Sequence, residues 1–77
     1  MVPKWLKIIR KSPYQTGLLI TVEKIQTGDF AGLDIIKMKG LVGIYRCRVG
    51  DMRIIFEENL KGEFDILDIG WRGDIYK

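Results

Sequence analysis

Apolar residues recur at helical spacing near the start of the chain, where Trp5, Leu6, Ile8 and Ile9 are interleaved with Lys4, Lys7, Arg10 and Lys11. Pro3 suits a helical first turn, so this stretch predicts a short amphipathic helix. Ser12 and Pro13 then offer an N-cap and a first-turn proline, after which Tyr14, Leu18, Val22 and Ile25 follow at steps of four, four and three. The spacing predicts a second helix to about Thr27, with Gly28 as its stop and a turn through Asp29. Gly17 and the β-branched Ile20, Thr21 and Val22 lower the intrinsic propensity of that segment, so its helicity must come from packing.

From Asp34 the period changes to two, with Ile36 and Met38 as its apolar positions and, beyond Gly40 to Gly43, the alternating run Ile44 to Val49. Gly50 and Asp51 form a two-residue hairpin turn, and Met52 to Phe56 return as the next strand. Asn59 to Gly62 predict another turn, followed by a strand from Phe64 through Ile69 towards Trp71 and Arg72. The chain thus reads as a single α+β domain over residues 1–77, two N-terminal helices packed on a twisted antiparallel sheet.

A two-residue turn pairs Val49 with Met52, Arg48 with Arg53, Cys47 with Ile54 and Tyr45 with Phe56. One face of the hairpin is apolar and the other cationic. With Glu58 facing Glu63 across a four-residue turn, Arg53 lies opposite Asp68, Ile54 opposite Leu67 and Met52 opposite Ile69. Counting by twos to Arg72 puts Arg46, Arg48, Arg53 and Arg72 on one side, four of the five arginines of the chain. Like charges placed opposite each other on a sheet are destabilising, and in this register only Asp68 offsets them. Guanidinium forks bind phosphate oxygens in pairs, so the cluster points to a phosphate-binding surface.

Charge sharpens this picture. Residues 1–56 carry ten Lys/Arg against four Asp/Glu, and residues 57–77 carry three against six. The basic part is where an anion belongs. The chain has no histidine and a single cysteine, Cys47. Histidine-dependent hydrolases and ribonucleases, an internal disulfide and a zinc site of recognisable spacing are therefore excluded, and no metal or cofactor is expected. No apolar run is long enough to span a bilayer and no signal-peptide pattern opens the chain, which points to the cytoplasm and away from membranes.

The run Lys37-Met38-Lys39-Gly40, the stretch Gly43 to Phe56 and the end Gly70-Trp71-Arg72-Gly73-Asp74-Ile75-Tyr76-Lys77 resemble the RelE/ParE toxin superfamily. The motifs cover about half of the chain, and the upstream helices fit the same fold. The resemblance implies the toxin of a toxin–antitoxin pair. In its RelE branch the toxin cleaves mRNA in the ribosomal A site, by attack of a ribose 2′-hydroxyl on the adjacent phosphate. By position it implies catalytic roles for Arg53, Arg72 and Tyr76 and RNA binding by Lys37, Lys39, Arg46 and Arg48. A cognate antitoxin and ribosome-bound mRNA are the implied partners. Retention of this set favours the RelE branch over the ParE branch, whose members poison DNA gyrase.

Two departures from the family pattern bear on mechanism. Where some members carry lysines on the first hairpin strand, this chain has Arg46 and Arg48, and arginine is a poor general base. The base is left open between Tyr76 and Lys39, each of which would need its pKa depressed by neighbouring positive charge. Members also begin with a β-strand and a long first helix, whereas Met1 opens almost directly onto the end of that helix. A missing strand would leave a sheet edge open to self-association or to a partner, and keeps an inactive antitoxin-binding remnant among the alternatives.

Overall fold

The computed structural model describes residues 2–71. Helices α1 (Lys4–Arg10) and α2 (Gln15–Thr27) come first, followed by strands β1 (Asp34–Lys37), β2 (Ile44–Val49), β3 (Met52–Glu58) and β4 (Phe64–Trp71). The strands form one antiparallel sheet in the order β1-β2-β3-β4, so the chain meanders across it. The described part opens on α1 with no strand before it, and β1 and β4 are the edges of the sheet.

Both helices lie on one face of the sheet because their apolar stripes and the odd positions of β2 exclude the same water. Ile9, Leu18, Val22 and Ile25 are buried against Cys47, Met52, Ile54, Phe56 and Ile69. Burying an aliphatic side chain of this size contributes roughly 1.5–3 kcal/mol, so these positions carry most of the stability. Phe56 stacks on Tyr45 with ring centroids 5.4 Å apart, and Phe30 meets Phe64 edge-on at 4.9 Å. The aromatic cluster closes the end of the core beneath the β3–β4 turn.

Helix α2 begins two residues later than Ser12 and Pro13 predict. Ser12 Oγ accepts from the Tyr14 backbone N–H at 3.0 Å, which bends the chain between the helices instead of capping the second one. Gly28 ends α2 as expected: it takes φ 78°, and the N–H groups of Gly28 and Asp29 return to the carbonyls of Ile25 and Lys24. The phase of β1 differs from the reading centred on Ile36 and Met38. Ile35 pairs with Cys47 and packs on the core, while Ile36 is exposed beside Arg46 on the other face.

The β2–β3 register is the one expected, from Val49–Met52 to Tyr45–Phe56. The β3–β4 register is not: Arg53 pairs with Gly70, Ile54 with Ile69, Met52 with Trp71, and Glu58 with Phe64. Two one-residue changes cause this. The connection spans residues 59–63, because Asn59 Oδ1 accepts from the N–H groups of Lys61 and Glu63 and holds a longer loop. Leu67 is then a bulge, unopposed between the Ile55–Asp68 and Phe56–Ile66 pairs. The bulge flips the alternation, so Phe64 and Ile66 face the core on one side of it, Ile69 does so on the other, and Leu67 is 43% exposed.

Candidate nucleic-acid interface

The alternation that turns Cys47, Met52 and Ile54 inward necessarily turns Arg46, Arg48 and Arg53 outward, onto the sheet face away from the helices. The registers assemble that face in transverse rows. At the hairpin end the row reads Asp34, Arg48, Arg53, Gly70; the next reads Ile36, Arg46, Ile55, Asp68; the third contains Ile44, Glu57 and Asp65. The face is therefore graded, cationic at the Gly50 turn and acidic at the opposite end.

Within the first row, Arg48 and Arg53 are directly paired across the strands. Arg48 donates from Nε to Asp34 Oδ2 at 2.7 Å, with both side chains about half exposed at 47% and 49%. This compensation comes from β1, whereas the sequence assigned it to Asp68 alone. Asp68 instead lies in the Arg46 row, with Ile55 between them, and its carboxylate caps the Ile69 N–H at 2.9 Å. Arg46 Nε is buried and has no hydrogen-bond partner among the described residues. A buried donor left without an acceptor costs free energy, a cost the sheet bears to hold this guanidinium on the face. Ile55, fully buried on this face, sets a low-dielectric floor between Arg46 and Asp68.

The other expected site residues distribute as follows. Lys37 ends β1 opposite Tyr45, so its position projects to the side away from the arginines, and Lys39 is exposed in the β1–β2 loop. Arg72 and Tyr76 lie outside the described residues. Sequence reasoning missed Asp34, because its pairing with Arg48 depends on a loop of six residues, 38–43, whose geometry no motif specifies. It also missed the acidic row, although the excess of Asp and Glu after residue 56 was its signal. No group of His, Cys, Asp or Glu suited to a metal ion occurs among the described residues.

Burial, reinforced by the Asp34 carboxylate, pushes the Cys47 thiol up to about 11. It is a core residue and not a nucleophile at neutral pH. Among the described residues no helix is long and apolar enough to cross a membrane. Exposed apolar side chains gather instead at Leu41 and Val42 in the β1–β2 loop, and at Leu19 and Ile20 on the outer side of α2. Beside the β4 edge, a cleft of about 340 Å³ is lined by Lys4, Ile8, Lys11 and Trp71 among others.

Two helices on one face of a four-stranded antiparallel meander, with arginines on the opposite face, define a RelE-like α+β domain. The chain is similar to a chain of the crystal structure of the archaeal RelE–RelB complex from Pyrococcus horikoshii OT3, with a TM-score of 0.72 and 25% identity over 95% of this chain and 91% of that one. No family model and no curated protein sequence matches the chain.

Proposed function

We propose that the chain is the toxin of a toxin–antitoxin pair and acts as a ribosome-dependent mRNA endoribonuclease. One observation carries this reading: in a RelE-like fold, Arg46, Arg48 and Arg53 share the sheet face away from the helices, and its charge is graded towards the Gly50 turn. RNA phosphates would settle over the first two rows and be repelled from Glu57 and Asp65. The reaction would be attack of a ribose 2′-hydroxyl on the adjacent phosphate, leaving a cyclic phosphate and a 5′-hydroxyl. The arginines would stabilise the charge of the phosphorane, with Arg72 and Tyr76 completing the set as the family resemblance implies. With no histidine in the chain, positioning by the ribosome would supply much of the acceleration.

The antitoxin would bring acidic and apolar side chains. Lys4 and Lys11 beside Ile8 and Trp71 at the β4 edge, and the exposed Leu41 and Val42, are surfaces of matching chemistry. The test is to incubate the purified chain with mRNA, free and on stalled ribosomes, and to map the new 5′ ends. Cleavage confined to ribosome-bound mRNA is the expected result. Intact mRNA, with loss of gyrase supercoiling on induction, would replace this reading with a ParE-like one.

A further inference from the structure

The row Asp34, Arg48, Arg53 places a carboxylate where an RNA phosphate would bind. Asp34 contacts Arg48 through Nε at 2.7 Å, on the face that also carries Arg46, whose buried Nε has no partner among the described residues. We infer that Asp34 is a resident competitor for the RNA phosphate at Arg48, displaced on binding, and so sets the affinity and salt dependence of the site. The inference rests on the RNA-binding reading and adds a residue to it.

Magnitudes decide the direction. The Asp34–Arg48 pair is about half exposed, and an exposed ion pair of this kind is worth little in water. A phosphate meeting Arg48 also meets the charge of Arg53 opposite it and of Arg46 in the adjoining row, so it is drawn by more than the one guanidinium that Asp34 binds through Nε. The phosphate therefore wins the exchange, and Asp34 returns to water carrying an uncompensated charge. That charge takes up a cation as the phosphate releases one, which blunts the net counterion release.

Removing the carboxylate should then have two readouts. Asp34→Asn should bind a short unstructured RNA about two- to five-fold more tightly, the change that loss of such a pair allows. It should also steepen the slope of log affinity against log salt by up to about 0.7, the value of one fully released counterion on a single strand. A merely structural role would not move the slope. Asp34→Glu, which keeps the charge, should behave as the unmodified chain. In an Arg48→Ala background Asp34→Asn should change neither quantity.

The control for general electrostatics is Glu23→Gln, an exposed carboxylate of α2 on the side of the sheet away from the arginines, where it loses the same unit of charge without facing the bound phosphates. The experiment is fluorescence anisotropy of labelled RNA at several salt concentrations, with thermal melts to establish that each variant is folded. Equal tightening by Glu23→Gln, or no effect of Asp34→Asn while Arg46→Ala and Arg48→Ala weaken binding, overturns the competitor role and leaves the interface standing. Unchanged binding by the arginine variants removes the interface, and the inference with it.

Discussion

Tyr14 lays its ring over Gly50, so that a Cβ added to the glycine would stand 2.9 Å from Tyr14 Cε1. The tyrosine hydroxyl also donates to Asp51 Oδ2 at 3.4 Å, and its ring meets Trp71 edge-on at a centroid distance of 6.4 Å. One residue at the entrance of α2 thereby fastens the turn that sets Arg48 opposite Arg53.

Gly50→Ala should on these grounds be costly twice. The residue takes φ 58°, where a side chain is penalised by roughly 1–2 kcal/mol, and the new methyl would displace the tyrosine ring. Destabilisation of about 2 kcal/mol is expected, read as a lowered urea midpoint, together with weakened RNA binding as the Arg48–Arg53 row loosens. Tyr14→Phe keeps the ring and loses only a long, exposed hydrogen bond, so it should change stability by no more than about 0.5 kcal/mol.

Leu67 and Ile54 should separate sharply, although alternation alone places both in the core. Ile54→Ala removes a fully buried side chain and should cost about 2–5 kcal/mol through the cavity it leaves. Leu67→Ala falls on the exposed bulge and should stay within about 0.5 kcal/mol. Thermal melts of the two variants decide it, and a large loss for Leu67→Ala would mean that the strand pairs without the bulge.

That contrast marks how far the sequence could be read. The β2–β3 register was legible because a two-residue turn leaves no slack and Cys47, Ile54, Tyr45 and Phe56 must share a face. The β3–β4 register was not. Asn59 extends its loop through side-chain bonds that compete with a tighter turn, and the bulge at Leu67 is offset in the hydrophobic pattern by Ile66 and Ile69 on either side of it. Arg46, Arg48 and Arg53 came out together because they belong to the legible hairpin. Asp34 and the acidic row did not, since both depend on pairings with β1 and β4.

Cys47 provides a pH dependence whose sign follows from its environment. The folded state holds the thiol proton to about 11 against an ordinary 9.0, so between these values the unfolded chain binds fewer protons than the folded one. The stability this proton contributes is complete below about pH 9 and declines as pH rises towards 11. Urea titrations across that window should show a steeper decline for the unmodified chain than for Cys47→Ala, whatever the baseline cost of the smaller side chain. A thiol reagent at pH 8 should react only after denaturant is added. Rapid labelling of the folded chain would show that the β2 strand opens readily.

Arg46 tests whether the cationic face is kept for function at a cost in stability. Its Nε is buried without an acceptor among the described residues, and its neighbours across the strands are Ile36 and Ile55. A desolvated donor in such surroundings costs about 1–3 kcal/mol, while the aliphatic stem of the same side chain packs well. Arg46→Met keeps a stem of similar reach and removes the stranded donor, so it should stabilise the fold by roughly 1 kcal/mol, the lower end of what such a donor costs. The same variant should weaken RNA binding and lower the salt slope by about 0.7, since one phosphate contact is lost. Arg48→Ala should lose affinity too, but with stability unchanged, because its ion pair is exposed. Melting curves and RNA titrations on the two variants separate these outcomes. An Arg46→Met chain that is less stable and binds RNA normally would make Arg46 a structural residue and move the phosphate site to Arg48 and Arg53.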